Sequence, residues 1–210
     1  MFLLILGLLV FLGTHSLRFG SDARRDALIA RLGPGRFKGV YSALSAIGLV
    51  LTVLGFGIAR ETPVLLWTPP AGMRHLTFLL MLMSLVLLTA AYVPRNAIRA
   101  RVHHPMVLSV KVWALAHLIC NGTLAHVVLF GAFLLWSVVL FKASRRRDVL
   151  SGMQYAAGET VPTLITLGVG VFAWLVLLGW LHGILIGVRL MGVSSLLGVY
   201  VVEWVVYGNM

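Results

Sequence analysis

The residues of this chain that are best suited to chemistry are its histidines, because the sequence holds seven of them beside only six acidic residues and one cysteine. Imidazoles ligate metals, transfer protons or make hydrogen bonds between helices. There is no CxxC motif, no HExxH motif and no carboxylate cluster. A site built from histidines alone favours haem iron, which one or two axial imidazoles can hold, over zinc or a di-iron centre.

Two histidines, His15 and His117, lie inside apolar segments. A polar side chain in hydrocarbon must hydrogen-bond, face a cavity or bind a metal. From the residues alone, both a ligand role and an interhelical hydrogen bond, worth about 0.6 kcal/mol on average, stay open for each. The other five lie near predicted turns, loops or helix ends, where packing or contact with headgroups and water accounts for them; they are His75, His103, His104, His126 and His182.

Neighbours at helical spacing could contribute to a cofactor site. Trp113 and Asn121 lie four residues before and after His117, so a large ring and an amide share its face. They suit either a flat cofactor or ordinary helix packing. Lys111 and Arg18 are predicted either to pair with the propionates of a haem or to extend toward solvent. No catalytic residue is predicted.

Composition places these residues in a membrane. Sixty per cent of the 210 residues are hydrophobic and 11% are charged, and the mean hydropathy is +1.00. A soluble domain of this size could not cover so much apolar surface. The net charge of +11 does not indicate a nucleic-acid partner, because the basic residues lie between apolar segments and not on one soluble face. Cys120, the single cysteine, cannot form an internal disulfide.

Apolar segments of near-spanning length predict an all-α, polytopic transmembrane bundle of six to seven helices. A last segment, Val193–Tyr207, carries Glu203 and is either a seventh span or an interfacial tail. The chain therefore divides into a transmembrane domain over 1–193 and a hydrophobic tail over 194–210. We expect the first segment to be a retained helix and not a signal peptide, since no basic n-region precedes it. The six other predicted spans are Phe2–Leu17, Val40–Ile58, Leu76–Val93, Met106–Cys120, Leu124–Phe141 and Leu164–Leu181.

The basic residues predict the orientation. Thirteen of the 17 lysines and arginines fall in alternate loops, the first, third and fifth, and only Arg60, Arg74 and Arg189 lie in the opposite ones. By the positive-inside rule the N-terminus lies outside and the basic loops face the cytoplasm, as in a multi-pass protein of the cell inner membrane. The short "NGT" between the fourth and fifth spans predicts a tight helix hairpin.

Four segments occur in an order that resembles a known family: "FLGTHSLRFGSDARRDALIARLGPGRFKGVYSALSAIGLVLTVLGF", "LLWTPP", "RVHHPMVLSVKVWALAHLICNGTLAHVVLFGAFLLWSVV" and "LHGILIGVRLMGV". Together they resemble NnrU-type membrane proteins over residues 1–193. That family is similar to the zeta-carotene isomerase of plants and cyanobacteria, an integral membrane enzyme with haem b. The resemblance implies haem b as cofactor and a link to nitrite and nitric oxide reduction, as in denitrification. Membrane lipid and an apolar substrate such as a carotenoid are the implied partners; an enzyme of this kind would be a haem-dependent isomerase or a redox enzyme.

The resemblance also implies the ligands. The isomerase has one histidine in an N-terminal "HS" segment and one in a "W-x-x-A-H" segment, and both are regarded as axial haem ligands. These positions fall on His15 in "THSLR" and on His117 in "VWALAH". A cysteine three residues before the second histidine of the isomerase is implicated in redox-dependent ligation. This chain has Ala114 there, so the resemblance does not extend to a cysteine-based ligand exchange.

The depths of the two histidines constrain a shared haem. His15 lies about 21 Å along its helix from the outer surface, and His117 lies roughly 18 Å from the cytoplasmic end of its own helix. In a hydrocarbon core about 30 Å thick, the two then differ in depth by about 9–12 Å. Ligation by both predicts a tilted haem or a helix that is offset in the bilayer.

Two other classes of function stay open from the sequence. "HHPMVLSV" resembles the "RHPxYxG" segment of isoprenylcysteine methyltransferases, but His103 replaces the arginine and no paired glutamates follow near the C-terminus. A non-catalytic assembly or sensor protein of a respiratory complex needs only helix packing. A haem absorption spectrum separates the haem protein from the methyltransferase.

Overall fold

The computed structural model describes residues 1–18, 22–70 and 72–190, apart from the side chains of residues 18 and 22–24. The predicted tail or seventh span, over 194–210, lies outside these residues. The described chain is helical, and its only β pairings are the isolated bridges Leu65–Thr123 and Asn96–Glu159. The helices are α1 (Phe2–His15, followed by a 3-10 turn Ser16–Arg18), α2 (Asp22–Leu32), α3 (Pro34–Glu61), α4 (Met73–Tyr92), α5 (Ala97–Val102), α6 (Pro105–Cys120), α7 (Leu124–Leu150), α8 (Thr160–Val176) and, after a π-helical turn Leu177–Leu181, α9 (His182–Ile186).

In residues 1–18, 22–70 and 72–190, four helical stretches are long and apolar enough to cross a membrane: α3, α4, α7 and the continuous run Thr160–Ile186. Helices α1 and α6 are equally apolar but have only 14 and 16 residues, which is at or below the length that spans a bilayer without local thinning. The predicted all-α membrane bundle is confirmed. The protein is a membrane protein, and its described part has four helices of full spanning length and two shorter apolar ones.

Some helices extend beyond the predicted spans. Helix α7 continues past Phe141 to Leu150 and so carries Arg145, Arg146 and Arg147 as helical residues. The first basic loop contains a helix of its own, α2, of sequence "DARRDALIARL". Alanine, leucine and arginine are strong helix formers, so helix continues where the apolar sequence stops. Apolarity marks the membrane boundary, whereas propensity and capping mark the end of the helix.

Glycines allow α1 and α3 to pack antiparallel at close range. A Cβ atom added at Gly48 would lie 2.6 Å from the backbone nitrogen of Phe11, and one added at Gly55 would overlap the backbone of Leu4. Without side chains at these positions the two backbones touch, which is how helices gain packing energy in lipid. This crossing fixes the end of α1, and with it His15, against the first half of α3.

The turn between α6 and α7 is held by the loop that follows α3. Gly122 O accepts hydrogen bonds from Leu66 N at 2.8 Å and from Trp67 N at 3.2 Å, and Leu124 N donates to Val64 O at 2.9 Å. A Cβ at Gly122 would overlap Trp67 O, so only glycine fits. The three-residue turn confirms the predicted hairpin.

At the opposite end of the bundle, two predicted loops of the same side meet. Arg95 Nη1 and Glu159 Oε1 are 3.0 Å apart, and Glu159 N donates to Arg95 O at 2.8 Å. Buried Asn96 caps α5, because its Oδ1 accepts from Arg99 N at 2.7 Å. The start of α8 is therefore fixed at the end of α4, as alternating spans require. Which side of the membrane this end faces stays a prediction.

Candidate functional site

His15 ends helix α1 with its imidazole in a defined tautomer. Its Nδ1 lies 2.8 Å from the carbonyl oxygen of Phe11. Since a carbonyl only accepts, Nδ1 carries the proton of this bond, and Nε2 is the nitrogen left to bind a metal. The ring lies 4.3 Å from the Phe11 ring, 5.5 Å from Tyr41 and, edge-on, 6.4 Å from Trp136, by centroids. This is the tautomer that a metal-ligating histidine needs.

A cleft of about 380 Å³ adjoins this ring. It lies where the end of α1, helix α2 and the start of α3 meet, and its volume falls within the range of small-molecule sites. Next to His15, Trp136 Nε1 donates to Ser16 Oγ at 3.1 Å and ties α7 to the end of α1. The cleft is lined by Thr14, His15, Leu17, Arg25, Phe37, Lys38, Tyr41 and Ser42.

His117 repeats the same local arrangement on α6. Its Nδ1 lies 2.9 Å from the carbonyl oxygen of Trp113, four residues earlier, so here too Nδ1 carries the proton of the bond and Nε2 is the nitrogen left to bind a metal. Its ring stacks on Phe130 at 4.6 Å and 24°. Among the described hydrogen bonds, none involves Nε2 of His15 or of His117. In donor chemistry both residues fit an axial ligand of haem iron.

The structure does not bring the two imidazoles together. Three aromatic side chains connect them in space: Phe11 beside His15, Phe133 at 6.0 Å from Phe11, and Trp113 at 5.3 Å from Phe133 and 5.4 Å from His117. His117 stacks on Phe130 and His15 neighbours Trp136, six residues further along α7. That is a separation of about 9 Å along the helix, close to the depth difference that residue counting predicts. Ligation of one haem by both histidines stays a prediction.

The neighbours predicted for His117 are on its face but have partners of their own. Trp113 packs edge-on against Phe130 at 5.0 Å. Asn121 Nδ2 donates to His117 O at 2.9 Å and so closes the end of α6. Lys111 Nζ lies 6.0 Å from the centre of the Phe141 ring, in the half of the bundle away from His117. The side chain of Arg18 lies outside the described residues.

Other residues of the cleft were not predicted from the sequence. Arg25 on α2 and Lys38 and Tyr41 on α3 line the same space as His15. Phe37 and Tyr41 are one helical turn apart, which places two rings on one face of α3. That spacing was visible in the sequence. The position of Arg25 was not, because it depends on α2 folding back against α3.

Three of the other histidines make polar bonds of their own. His126 Nδ1 lies 2.6 Å from Thr123 Oγ1, and His182 Nδ1 lies 2.7 Å from Val188 O. His104 Nε2 lies 2.8 Å from Asp148 Oδ2. No group of three or more histidine, cysteine, aspartate or glutamate side chains that could hold a metal ion occurs among the described residues. A haem site needs only one histidine, so this finding does not exclude one.

Beside His104, Tyr155 extends the polar cluster outside the spanning segments. Its hydroxyl donates to Asp148 Oδ2 at 3.1 Å, and its ring stacks on His103 at 4.0 Å. Burial, followed by the hydrogen bond and the negative charge of Asp148, raises the pKa of the Tyr155 hydroxyl. The cluster ties the segment after α7 to the start of α6 and includes His104, the histidine that the methyltransferase interpretation would make a site residue.

Comparison with known proteins gives one match. A family model described as NnrU protein matches residues 3–190, a range that includes His15, His117 and every residue lining the cleft. No curated protein and no solved structure matches the chain.

Proposed function

Because the chain belongs to the NnrU family, we propose that it is a membrane protein that binds haem b, with His15 as an axial ligand. The observation that carries the proposal is the bond from His15 Nδ1–H to Phe11 O at 2.8 Å, beside the cleft that His15 lines. A carbonyl partner on Nδ1 fixes the ring and raises the basicity of Nε2. A bound haem supplies one-electron chemistry or a coordination position for a small ligand.

His117 is the second candidate ligand, and its position makes it the weaker one. It has the same tautomer, but Phe130 stacks on its ring, and the aromatic side chains of Phe11, Trp113 and Phe133 occupy the space toward His15. Ligation by both histidines requires these rings to move. We propose that the protein in the described packing holds haem through His15 alone.

Ala114 favours a redox role over isomerisation. It stands where the isomerase has its cysteine, and it is fully buried in the core formed with Leu4, Leu8, Leu129 and Phe130. A methyl group there offers no ligand and no redox chemistry. The proposed role is therefore a redox-related one in nitrite or nitric oxide metabolism, in the cell inner membrane. Conversion of a poly-cis carotene by the purified protein would contradict that choice.

The test is the absorption spectrum of the detergent-purified protein and of alanine variants. We expect a Soret band and one haem per chain in the wild type, with both lost in His15→Ala. His126→Ala is the control, because this histidine also lies within a helix and near an aromatic ring, 6.0 Å from Phe130, but is bonded to Thr123; it keeps the spectrum.

Three results are decisive. Loss of haem in both His15→Ala and His117→Ala would establish ligation by two histidines and a packing different from the one described. Loss of haem in His117→Ala alone would show that the haem site is at His117 and not at His15. A colourless wild type, reconstituted with haem and still without a Soret shift, would refute haem binding altogether.

A further inference from the structure

We propose that Arg25 and Lys38 form a cationic rim that selects a porphyrin with free carboxylates, by binding the two propionates of the haem at His15. This deepens the proposed function and rests on it. Both side chains line the cleft that also contains His15. None of the lining residues is acidic. The two propionates are the only charged substituents of the porphyrin ring. The two positive charges of the cleft therefore match the two negative charges of the ligand.

The position along α1 supports this arrangement. Residues 2–13 of α1 are almost entirely apolar, and the polar sequence "THSLR" follows at its end. A macrocycle ligated at His15 can place its apolar part along the helices and its carboxylates toward the polar boundary. Charged groups at membrane depth require such a boundary or a partner. Arg25 and Lys38 supply the partner at the cleft.

The guanidinium of Arg25 is held at the cleft and can still bind a carboxylate. Its guanidinium carbon lies 5.9 Å from the centre of the Phe37 ring, which is within the range of a cation–π contact. Its one described ion pair, with Asp26, has a distance of 3.4 Å, and the Asp26 side chain is 64% exposed. Exposed pairs of this kind contribute little, so a carboxylate in the cleft can compete for the guanidinium. Arginine also offers the paired N–H groups that match a carboxylate.

Tyr41 and Ser45 add neutral polar groups on the same helix. The Tyr41 side chain lines the cleft between Lys38 and the His15 ring. One turn further along α3, the hydroxyl of Ser45 is buried and has no hydrogen-bond partner in the described part of the chain. Buried hydroxyls normally have partners. Ser45 does not itself line the cleft, so its hydroxyl is a feature of the neighbouring turn of α3 and not a contact of the proposed ligand.

The experiment compares two porphyrins that differ only in the carboxylates. Iron protoporphyrin IX and its dimethyl ester are titrated into the full-length apoprotein in a neutral detergent, and binding is followed by the Soret band. We expect the wild type to bind the free acid roughly tenfold or more tightly, since charge-assisted hydrogen bonds are being compared with uncharged esters. The double variant Arg25→Gln/Lys38→Gln should lose this preference, while its affinity for the ester stays at the wild-type value.

The matched control is Arg31→Gln/Arg36→Gln. It removes the same charge from the same two helices at exposed positions that do not line the cleft. We expect it to keep the wild-type preference. If it loses the preference equally, the effect is one of net charge and the rim is refuted.

The remaining outcomes separate this inference from the proposed function. Equal affinity of the wild type for acid and ester refutes the rim and leaves ligation at His15 standing; this arm needs no variant to fold. No binding of either porphyrin refutes the proposed function instead. If phosphatidylglycerol at low mole fraction displaces the acid and not the ester, the cations belong to a phospholipid headgroup, and the inference is again wrong.

Discussion

The two ends of the bundle contain the same local motif in different surroundings. At each end a histidine donates from Nδ1 to the carbonyl four residues earlier, at 2.8 Å for His15 and 2.9 Å for His117. His15 then borders a cleft with cationic residues, whereas His117 is stacked on Phe130 and Asn121 bonds its carbonyl. A helix sets the tautomer of its own histidine, but the neighbouring helices decide whether the ring can reach a ligand.

The largest effect concerns the side of the membrane that each end faces. A reporter inserted at Gly152, in the turn after α7, should register as cytoplasmic, and one inserted near Thr68, in the loop that covers the α6–α7 turn, as external. The excess of lysine and arginine in alternate loops drives this orientation. Alkaline phosphatase and green fluorescent protein fusions give opposite, nearly all-or-none signals. The reverse pattern would place the His15 cleft on the external side.

A substitution that separates α1 from α3 should disrupt the cleft at His15 and leave the region around His117 folded. In Gly48→Val the new side chain would overlap the backbone of Phe11, whose carbonyl oxygen bonds His15, and we expect a loss of about 3 kcal/mol or more, at or above the usual cost of overpacking. Thermal unfolding in detergent and haem retention measure it. Gly57→Val is the control, since no described atom lies within 4 Å of that position; a similar loss there would contradict the crossing.

The reaction rates of the His15 and His117 imidazoles with a small reagent should differ several-fold, and one substitution should change this difference. Diethylpyrocarbonate attacks a neutral imidazole nitrogen, so in haem-free protein we expect His15 to react faster than His117. Phe130→Ala should raise the rate at His117 several-fold and leave the rate at His15 unchanged, as followed by mass spectrometry. Leu135→Ala, at a position 68% exposed on the same helix, should change neither. Equal rates in the wild type would remove the distinction between the two ends.

The smallest effect is expected at Lys111. Its contact with Phe141 at 6.0 Å is worth about 0.5–1 kcal/mol, so Lys111→Gln should lower the Tm by a few degrees at most and leave the haem spectrum unchanged. A loss of haem comparable with that of His15→Ala would instead support the propionate role predicted from the sequence.

The sequence predicts what depends on apolarity and local spacing. Spans, the hairpin at Asn121–Thr123 and the shared face of Trp113, His117 and Asn121 all follow from residue types at fixed intervals. The difference in depth between the two histidines also follows, because a helix rises by a constant amount per residue.

The rim of the cleft could not be predicted in the same way. Arg25 and Lys38 lie 10 and 23 residues after His15 in the sequence, and no periodicity links them. Their proximity depends on α2 being a helix that folds back, in a segment whose basic residues indicated only a loop. Likewise, residue types did not indicate that the ring of Phe130 would cover His117, because stacking between helices depends on their rotation.

The lining of the His15 cleft comes entirely from residues 14–42, and this has a consequence for biosynthesis. A ribosome that has made α3 has already supplied the proposed ligand, both cations and the aromatic residues beside them. The helix that carries Trp136 is synthesised later and bonds the end of α1 at Ser16. The proposed haem ligation at His15 therefore needs no residue made after α3, and on this proposal haem can bind while insertion is still in progress, before α7 packs against α1.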